Sequence, residues 1–323
     1  MAETWTVRRL RQWIKEFLTS RGVESPTVCA DLLIGHVLTC DRMRLYMDVE
    51  RVALPSELEQ LRALVKRAGQ HEPVQYLVGS WSFFGCELEV GPTTLIPRSA
   101  TESLVTAAIE RLRAVDVNVK GARRVRIADL CTGSGCIAIA IARTLLASRT
   151  GRRQLAWKLG DEVSASEEPP PSEIEVYATE LVAAAAALAQ RNVDSHTLGG
   201  VIHVEVGDLD GSFEQRGFEH SFDLIASNPP YISDAEWADV PKNVRDFEPA
   251  SALRGGVDGL DFVRRIITSA PRWLKPCASL LVEISSSQGD AAMALARAAG
   301  FDDVEIIHDL EGHPRVLAAR ARG

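Results

Sequence analysis

The run Ser227-Asn-Pro-Pro-Tyr231 follows directly on the apolar stretch Phe222-Asp-Leu-Ile-Ala226. Two successive prolines fix the backbone and remove two N–H donors, so their carbonyls can face outward. The side chain of Asn228 offers an acceptor oxygen and an NH₂ donor. Tyr231 adds a flat face for a planar group. Asn228, Pro229, Pro230 and Tyr231 thus form a candidate receptor for a planar –NH₂ group on an sp² carbon.

A second motif, Asp129-Leu-Cys-Thr-Gly-Ser-Gly135, stands between a strand-like and a helix-like stretch. Gly133 and Gly135 let the backbone turn sharply and approach a ligand without a Cβ in the way. The helix that follows would aim unsatisfied N–H groups at the same place. This suits an adenosine-containing cofactor. Gly133, Gly135 and Ala138 also satisfy the dinucleotide pattern G-x-G-x-x-A, and a plain tight turn has the same composition, so the loop alone leaves these open. Glu180, just after the next strand, is placed to accept hydrogen bonds from ribose hydroxyls. It lies about 45 residues beyond the glycines rather than the usual ~20, and a polar insert explains the excess. A glutamate opening a helix fits the same position. Asp208, after the following strand, is a similar candidate near an adenine.

Strands ending at these groups must position them. Strands are expected at 125–130, 174–179, 201–206, 222–227 and 279–285, with helices at 136–147, 181–191, 262–274 and 291–299 between them. Two further strands, 304–307 and 316–319, suggest an antiparallel edge pair. This alternation argues for an α/β fold with a doubly wound, mostly parallel seven-stranded sheet. Residues 148–173 are poor in apolar side chains and read as an inserted surface loop.

The N-terminal residues read differently. Val7, Leu10, Trp13, Ile14, Phe17 and Leu18 recur at helical spacing. Ser25-Pro26 is an N-cap with proline at the first helical position. Ser56 with Glu59 is a candidate capping box ahead of Leu58, Leu61, Leu64 and Val65, with Gly69 to end that helix. The expected organisation is a small helical domain over 1–72, a β-hairpin linker over 73–98 and a larger domain over 99–323.

Composition bounds the function. The 323 residues are 46% hydrophobic and 25% charged, which excludes a disordered or fibrous chain. The net charge of −8 argues against a protein that coats nucleic acid. Segment 1–75 holds 11 basic and 10 acidic residues, so the excess acid lies after it. Six cysteines without a CxxC pair argue against a disulfide framework or zinc site. No metal is expected. No signal peptide or membrane span is visible, and the expected location is the cytoplasm.

The Asn228-Pro-Pro-Tyr231 site with the 129–135 loop resembles the S-adenosylmethionine-dependent methyltransferases that act on amide or exocyclic nitrogens. Further stretches resemble the HemK/PrmC protein-glutamine N5-methyltransferases. These are Glu72-Pro-Val-Gln-Tyr-Leu-Val-Gly79, Phe84-Gly85, Leu95-Ile-Pro-Arg98 with Thr101-Glu102, and Val244-Arg-Asp-Phe-Glu-Pro249. Ala252-Leu-Arg-Gly-Gly-Val-Asp-Gly-Leu-Asp261, Glu283-Ile284, and Asp309-Leu-Glu-Gly312 through Arg315-Val316 complete the set. The resemblance implies the class I methyltransferase fold. It implies that Asp129, Cys131, Thr132, Gly133, Ser134, Gly135, Glu180, Asp208, Leu209 and Asn228 bind S-adenosylmethionine. Asn228 and the Pro229 carbonyl would bind a glutamine amide beside Tyr231. Leu95, Ile96, Pro97, Arg98 and Thr101 would close the pocket.

The implied substrate is the glutamine of the Gly-Gly-Gln motif in class 1 peptide release factors, docked by the helical domain. The tail Gly312-His-Pro-Arg-Val316 and the stretch 76–79 are similar to the release-factor enzymes. Pro97-Arg-Ser99 and the 129–136 loop are similar to siblings that methylate ribosomal protein L3. A DNA adenine-N6 methyltransferase would address the same planar group, but the acidic balance counts against it, and no nucleic acid is expected to bind. Ser99-Ala100 stands where the family has Pro-Glu, which raises a module that binds without transferring.

Overall fold

The computed structural model describes residues 4–116, 124–158 and 174–323. Met1–Ser80, Val90–Pro92 and Val240–Glu248 make one compact unit; Trp81–Glu89, Thr93–Asp239 and Pro249–Gly323 make a second.

The first unit is helical: α1 (Val7–Ser20), α2 (Pro26–Leu38), α3 (Arg42–Met47), α4 (Pro55–Ala68) and α5 (Val74–Val78). Val7, Leu10, Ile14 and Leu18 of α1 are buried with Leu33, Ile34, Leu61 and Val65. Each such side chain contributes about 1.5–3 kcal/mol. Gly69 follows α4 because a Cβ there would stand 2.7 Å from the Phe17 ring. The start of α4 departs from the expected Ser56–Glu59 box. Pro55 takes the first helical position, and Glu57 accepts from the Leu54 N–H at 2.7 Å. The expected hairpin over 73–98 is shorter. Residues 74–78 are helical, and only β1 (Ser80–Phe83) and β2 (Cys86–Glu89) pair. Between them Phe84 and Gly85 both have positive φ, 48° and 70°, as a two-residue type I′ turn requires.

The second unit continues with α6 (Thr101–Asp116), β3 (Val125–Leu130), α7 (Cys136–Lys158), β4 (Ile174–Glu180), α8 (Ala183–Ser195), β5 (Ile202–Val206) and β6 (Phe222–Ser227). After the short α9 (Lys242–Arg245), which belongs to the first unit, come α10 (Asp261–Trp273), β7 (Leu274–Glu283), α11 (Gly289–Ala298), β8 (Asp302–His308) and β9 (Pro314–Arg320). The seven strands run β5-β4-β3-β6-β7-β9-β8, parallel except for β9. This is the expected doubly wound sheet with an antiparallel pair at one edge. All six residues of β6 and most of β3 and β4 are buried, as in a parallel sheet covered on both faces. The expected loop over 148–173 is corrected in its first part: α7 runs on through Lys158, and 159–173 lie outside the described residues. Strand order reverses between β3 and β6, where open α/β sheets hold ligands beyond the carboxyl ends of their strands. Among the described residues no helix is long and apolar enough to cross a membrane.

Candidate active site

Both sequence motifs leave the sheet at this reversal. Leu130 and Ser227 are register partners at the ends of β3 and β6, and Ser227 Oγ donates to the Leu130 carbonyl at 2.7 Å. The 131–135 loop and the Asn-Pro-Pro-Tyr turn therefore begin side by side.

The glycine loop is shaped from below by Asp129. Its side chain is fully buried, and Oδ2 accepts from Thr132 Oγ1 at 2.6 Å and from the Ala138 N–H at 3.1 Å. Burial pushes the Asp129 carboxyl up to about 7 against the pull of these two bonds. Cys131 has a φ of 59°. A non-glycine side chain there costs roughly 1–2 kcal/mol. Gly135, at φ 81°, sits against α8: a Cβ would meet Ile139 Cδ1 at 3.4 Å and Ala189 Cβ at 3.5 Å. Around Gly133 the space is open, with no atom within 4 Å of such a Cβ.

Glu180 closes one wall. Its Oε2 accepts from the Gly133 N–H and its Oε1 from the Val182 N–H, each at 3.0 Å. Thr132 N donates to the Thr179 carbonyl at 3.0 Å, binding the loop to the end of β4. Asp208 is half exposed and pairs with Arg265 at 2.8 Å, and Leu209 is buried with a φ of 52°.

Together these groups line one cleft of about 900 Å³, open mouth included. Of the expected site residues, the cleft brings together Leu95, Pro97, Thr101, Cys131, Thr132, Gly133, Ser134, Glu180, Asp208, Leu209, Asn228 and Pro230. Asp129, Gly135, Ile96, Arg98, Pro229 and Tyr231 are not on its lining. Asp129 and Gly135 instead hold the loop's shape.

Asn228 donates from Nδ2 to Thr101 Oγ1 at 3.1 Å, and its Oδ1 is buried without a partner. Ser134 Oγ and Thr179 Oγ1, also on the lining, are buried and unpartnered. Buried polar atoms are normally satisfied, so three such atoms on one cleft mark where a polar ligand belongs. Tyr231 turns its hydroxyl away, donating to Glu283 Oε1 at 3.2 Å. Burial raises both the Tyr231 and Glu283 pKa values; the Thr101 hydroxyl, Arg315, the Tyr231 hydroxyl and Arg98 pull Glu283 back down.

The turn is also clamped from behind, by residues that carried no expected role. Gly255 lies so close that a Cβ would stand 2.7 Å from the Pro230 carbonyl and 2.8 Å from Tyr231 Cα. At Gly259, φ 75°, a Cβ would stand 2.3 Å from the Tyr231 carbonyl, which accepts from Gln288 Nε2 at 2.9 Å. The Gly-Gly-x-x-Gly spacing of 255–259 was the signal for this close approach. Thr94, Val182, Ser251 and Phe262 also line the cleft without any local motif to announce them. Where the family pattern is altered at Ser99-Ala100, the retained Glu102 accepts from the Phe84 N–H at 2.8 Å and pins the β1–β2 turn.

Residues 9–79 match the family described as PrmC N-terminal domain, and 117–239 match the RMKL-like methyltransferase domain. The release factor glutamine methyltransferase of Geobacter sulfurreducens is 34% identical over 318 residues, covering 98% of each chain. That of Rhodopirellula baltica is 32% identical over 324 residues, covering 98% of this chain and 99% of its own. A solved structure described as a release factor-specific protein-(glutamine-N5) methyltransferase from Alicyclobacillus acidocaldarius is 28% identical, with a TM-score of 0.38, covering 73% of this chain and 100% of that one. With relatives this similar over nearly their whole length, the chain belongs to the release factor glutamine methyltransferase family.

Proposed function

We propose that the cleft binds S-adenosylmethionine and that the methyl group goes to N5 of the glutamine in the Gly-Gly-Gln motif of class 1 peptide release factors. The observation that carries this reading is the unpartnered Oδ1 of Asn228, an acceptor held on the cleft wall by the bond from its own Nδ2 to Thr101.

The residues suit an adenosine-bearing group. Glu180 spends one lone pair of each oxygen on a backbone N–H and keeps the others for hydroxyl donors. Gly133 leaves open space where a side chain would obstruct. Ser134 and Thr179 supply free hydroxyls. When bound, S-adenosylmethionine supplies a methyl group activated by its sulfonium.

An amide nitrogen is a poor nucleophile because its lone pair is delocalised into the carbonyl. Asn228 Oδ1, by accepting an amide hydrogen, would hold the nitrogen toward the methyl carbon. Alignment of this kind supplies up to about 7–11 kcal/mol in favourable cases. The methyl would pass to the nitrogen as its bond to sulfur breaks, leaving a neutral thioether, and the nitrogen, then cationic and acidic, would lose its proton to water, so no base is required before transfer. We assign docking of the protein substrate to the near-neutral helical unit. Release factors work at the ribosome, so this reading puts the chain in the cytoplasm.

Incubation with S-adenosylmethionine and a class 1 release factor, followed by peptide mass mapping, tests it. One methyl on the Gly-Gly-Gln glutamine is expected. Transfer to ribosomal protein L3 with none to the release factor overturns the substrate assignment.

A further inference from the structure

Two consecutive prolines leave the Asn-Pro-Pro-Tyr turn short of N–H donors, so it has to be held through its carbonyls and by the residue that follows them. Tyr231 is that residue, and it is fastened at both ends by the last residue of β7 and the segment after it. Its hydroxyl donates to Glu283 Oε1 at 3.2 Å, and its carbonyl accepts from Gln288 Nε2 at 2.9 Å. Gln288 is buried and stands just ahead of α11. Its Oε1 accepts from the Ser285 N–H at 3.0 Å, and Nε2 also reaches the Asp258 carbonyl at 3.4 Å.

One side-chain amide thus joins the Asn-Pro-Pro-Tyr turn, the 255–259 loop and its own 285–288 turn, which the Gln288 N–H closes by donating to the Ser285 carbonyl at 2.9 Å. The orientation of that amide is fixed. An N–H occupies its oxygen end, so the NH₂ faces the two carbonyls. Gly259 leaves the room it needs, since a Cβ there would stand 2.4 Å from Gln288 Nε2. We propose that Gln288 is a positioning residue for methyl transfer: by holding the Tyr231 carbonyl it sets where Asn228, at the start of the same turn, presents its oxygen. The proposal rests on the reading of Asn228 as the acceptor for the substrate amide.

Gln288 also shapes the start of α11, and Gln288→Glu separates the two roles. A glutamate has nearly the same shape, still accepts from the Ser285 N–H, and carries a charge that suits a helix N-terminus. It offers no donor to the Tyr231 carbonyl and sets a carboxylate against two carbonyls. If Gln288 only shapes 285–288 and α11, Gln288→Glu keeps the wild-type kcat, and Gln288→Met, which lacks both ends of the amide, is the impaired variant. If Gln288 positions the turn, both variants lower kcat, and Gln288→Glu does so at least as far as Gln288→Met. The expected loss is on the order of 10- to 100-fold, as small misplacements at a reacting centre produce. S-adenosylmethionine affinity, measured by calorimetry, stays within a few-fold of wild type in both, because Glu180 and the glycine loop are held by other bonds.

Wild-type kcat in Gln288→Glu overturns the proposal, as does a loss of cofactor affinity as large as the loss of kcat. If Gln288→Glu does not fold, Gln288→Met decides in combination with Asn228→Ala. In that background Gln288→Met should add little, because the group it positions is already gone, and losses that multiply overturn the proposal. Asn228→Ala by itself separates the two levels. Undiminished turnover there removes the reading beneath the proposal. A large loss there, with wild-type kcat in Gln288→Glu, overturns only the role given to Gln288.

Discussion

Glu180, the last residue of β4, accepts a hydrogen bond from the Gly133 N–H at 3.0 Å, so one strand's terminal carboxylate holds the loop of its neighbour. Its other oxygen is held as firmly, by Val182. A ligand that hydrogen-bonds this carboxylate meets an acceptor already fixed in place, so little side-chain freedom is lost on binding.

Replacing Glu180 should therefore weaken S-adenosylmethionine binding sharply. A hydrogen bond to a charged group is worth about 1.5–3 kcal/mol, which is a loss of roughly 10- to 100-fold in affinity by calorimetry for Glu180→Ala. Asp208 is half exposed and already paired with Arg265, so Asp208→Asn should cost only a few-fold. Equal losses for the two would mean that the backbone bonds of Glu180 do not preorganise it.

Gly255 gives a test of the clamp behind the Asn-Pro-Pro-Tyr turn. A methyl group there meets backbone atoms, including the Pro230 carbonyl and Tyr231 Cα, none of which is a flexible end. Gly255→Ala should lower stability by about 1–3 kcal/mol, the usual cost of overpacking, in denaturant titration. Turnover should fall further than stability alone explains, with cofactor affinity nearly retained, because the displaced residues neighbour Asn228. A variant with wild-type kcat would show that the turn tolerates the displacement.

Asp129 makes stability depend on pH. Its folded pKa is about 7 and its ordinary value 3.8. The raised value means that its contribution is fully present below about 3.8 and is lost as pH rises to about 7. The loss is at most about 4 kcal/mol, from about 1.4 kcal/mol per unit. Asp129→Asn cannot ionise and still offers an acceptor to Thr132 and Ala138. The stability gap between wild type and this variant should shift in the variant's favour between pH 4 and pH 8. A gap independent of pH would mean that Asp129 ionises normally in the folded chain.

The parts of the site legible in the sequence are those compressed into a few consecutive residues at a strand end. Asn228 to Tyr231 and Cys131 to Gly135 announce themselves because tight turns impose residue types locally, through proline, glycine and the left-handed φ values of Gly133 and Gly135. The sheet was legible because its central strands are buried on both faces. Roles that depend on distant partners were not. Asp129 reads as a ligand-contacting acid but lies under the loop, since nothing local distinguishes an exposed carboxylate from one bonded to Thr132 and Ala138. The pairing of Glu283 with Tyr231 joins residues 52 positions apart. Residues 101–116 form a helix that carried no expectation, although Leu104, Val105, Ala108, Ile109 and Leu112 mark one buried face. The helical continuation through Lys158 crosses a stretch without a clear apolar stripe.

The central claim is a methyl group on one amide nitrogen, and the direct measurement is the mass of one peptide. Class 1 release factor is purified from cells that make this chain and from the same cells after its gene is removed, and the Gly-Gly-Gln peptide is sequenced by mass spectrometry. The expected result is N5-methylglutamine in the first preparation, its absence in the second, and no restoration by Asn228→Ala. An unmodified glutamine in both preparations, or a methylated one in both, would contradict the claim.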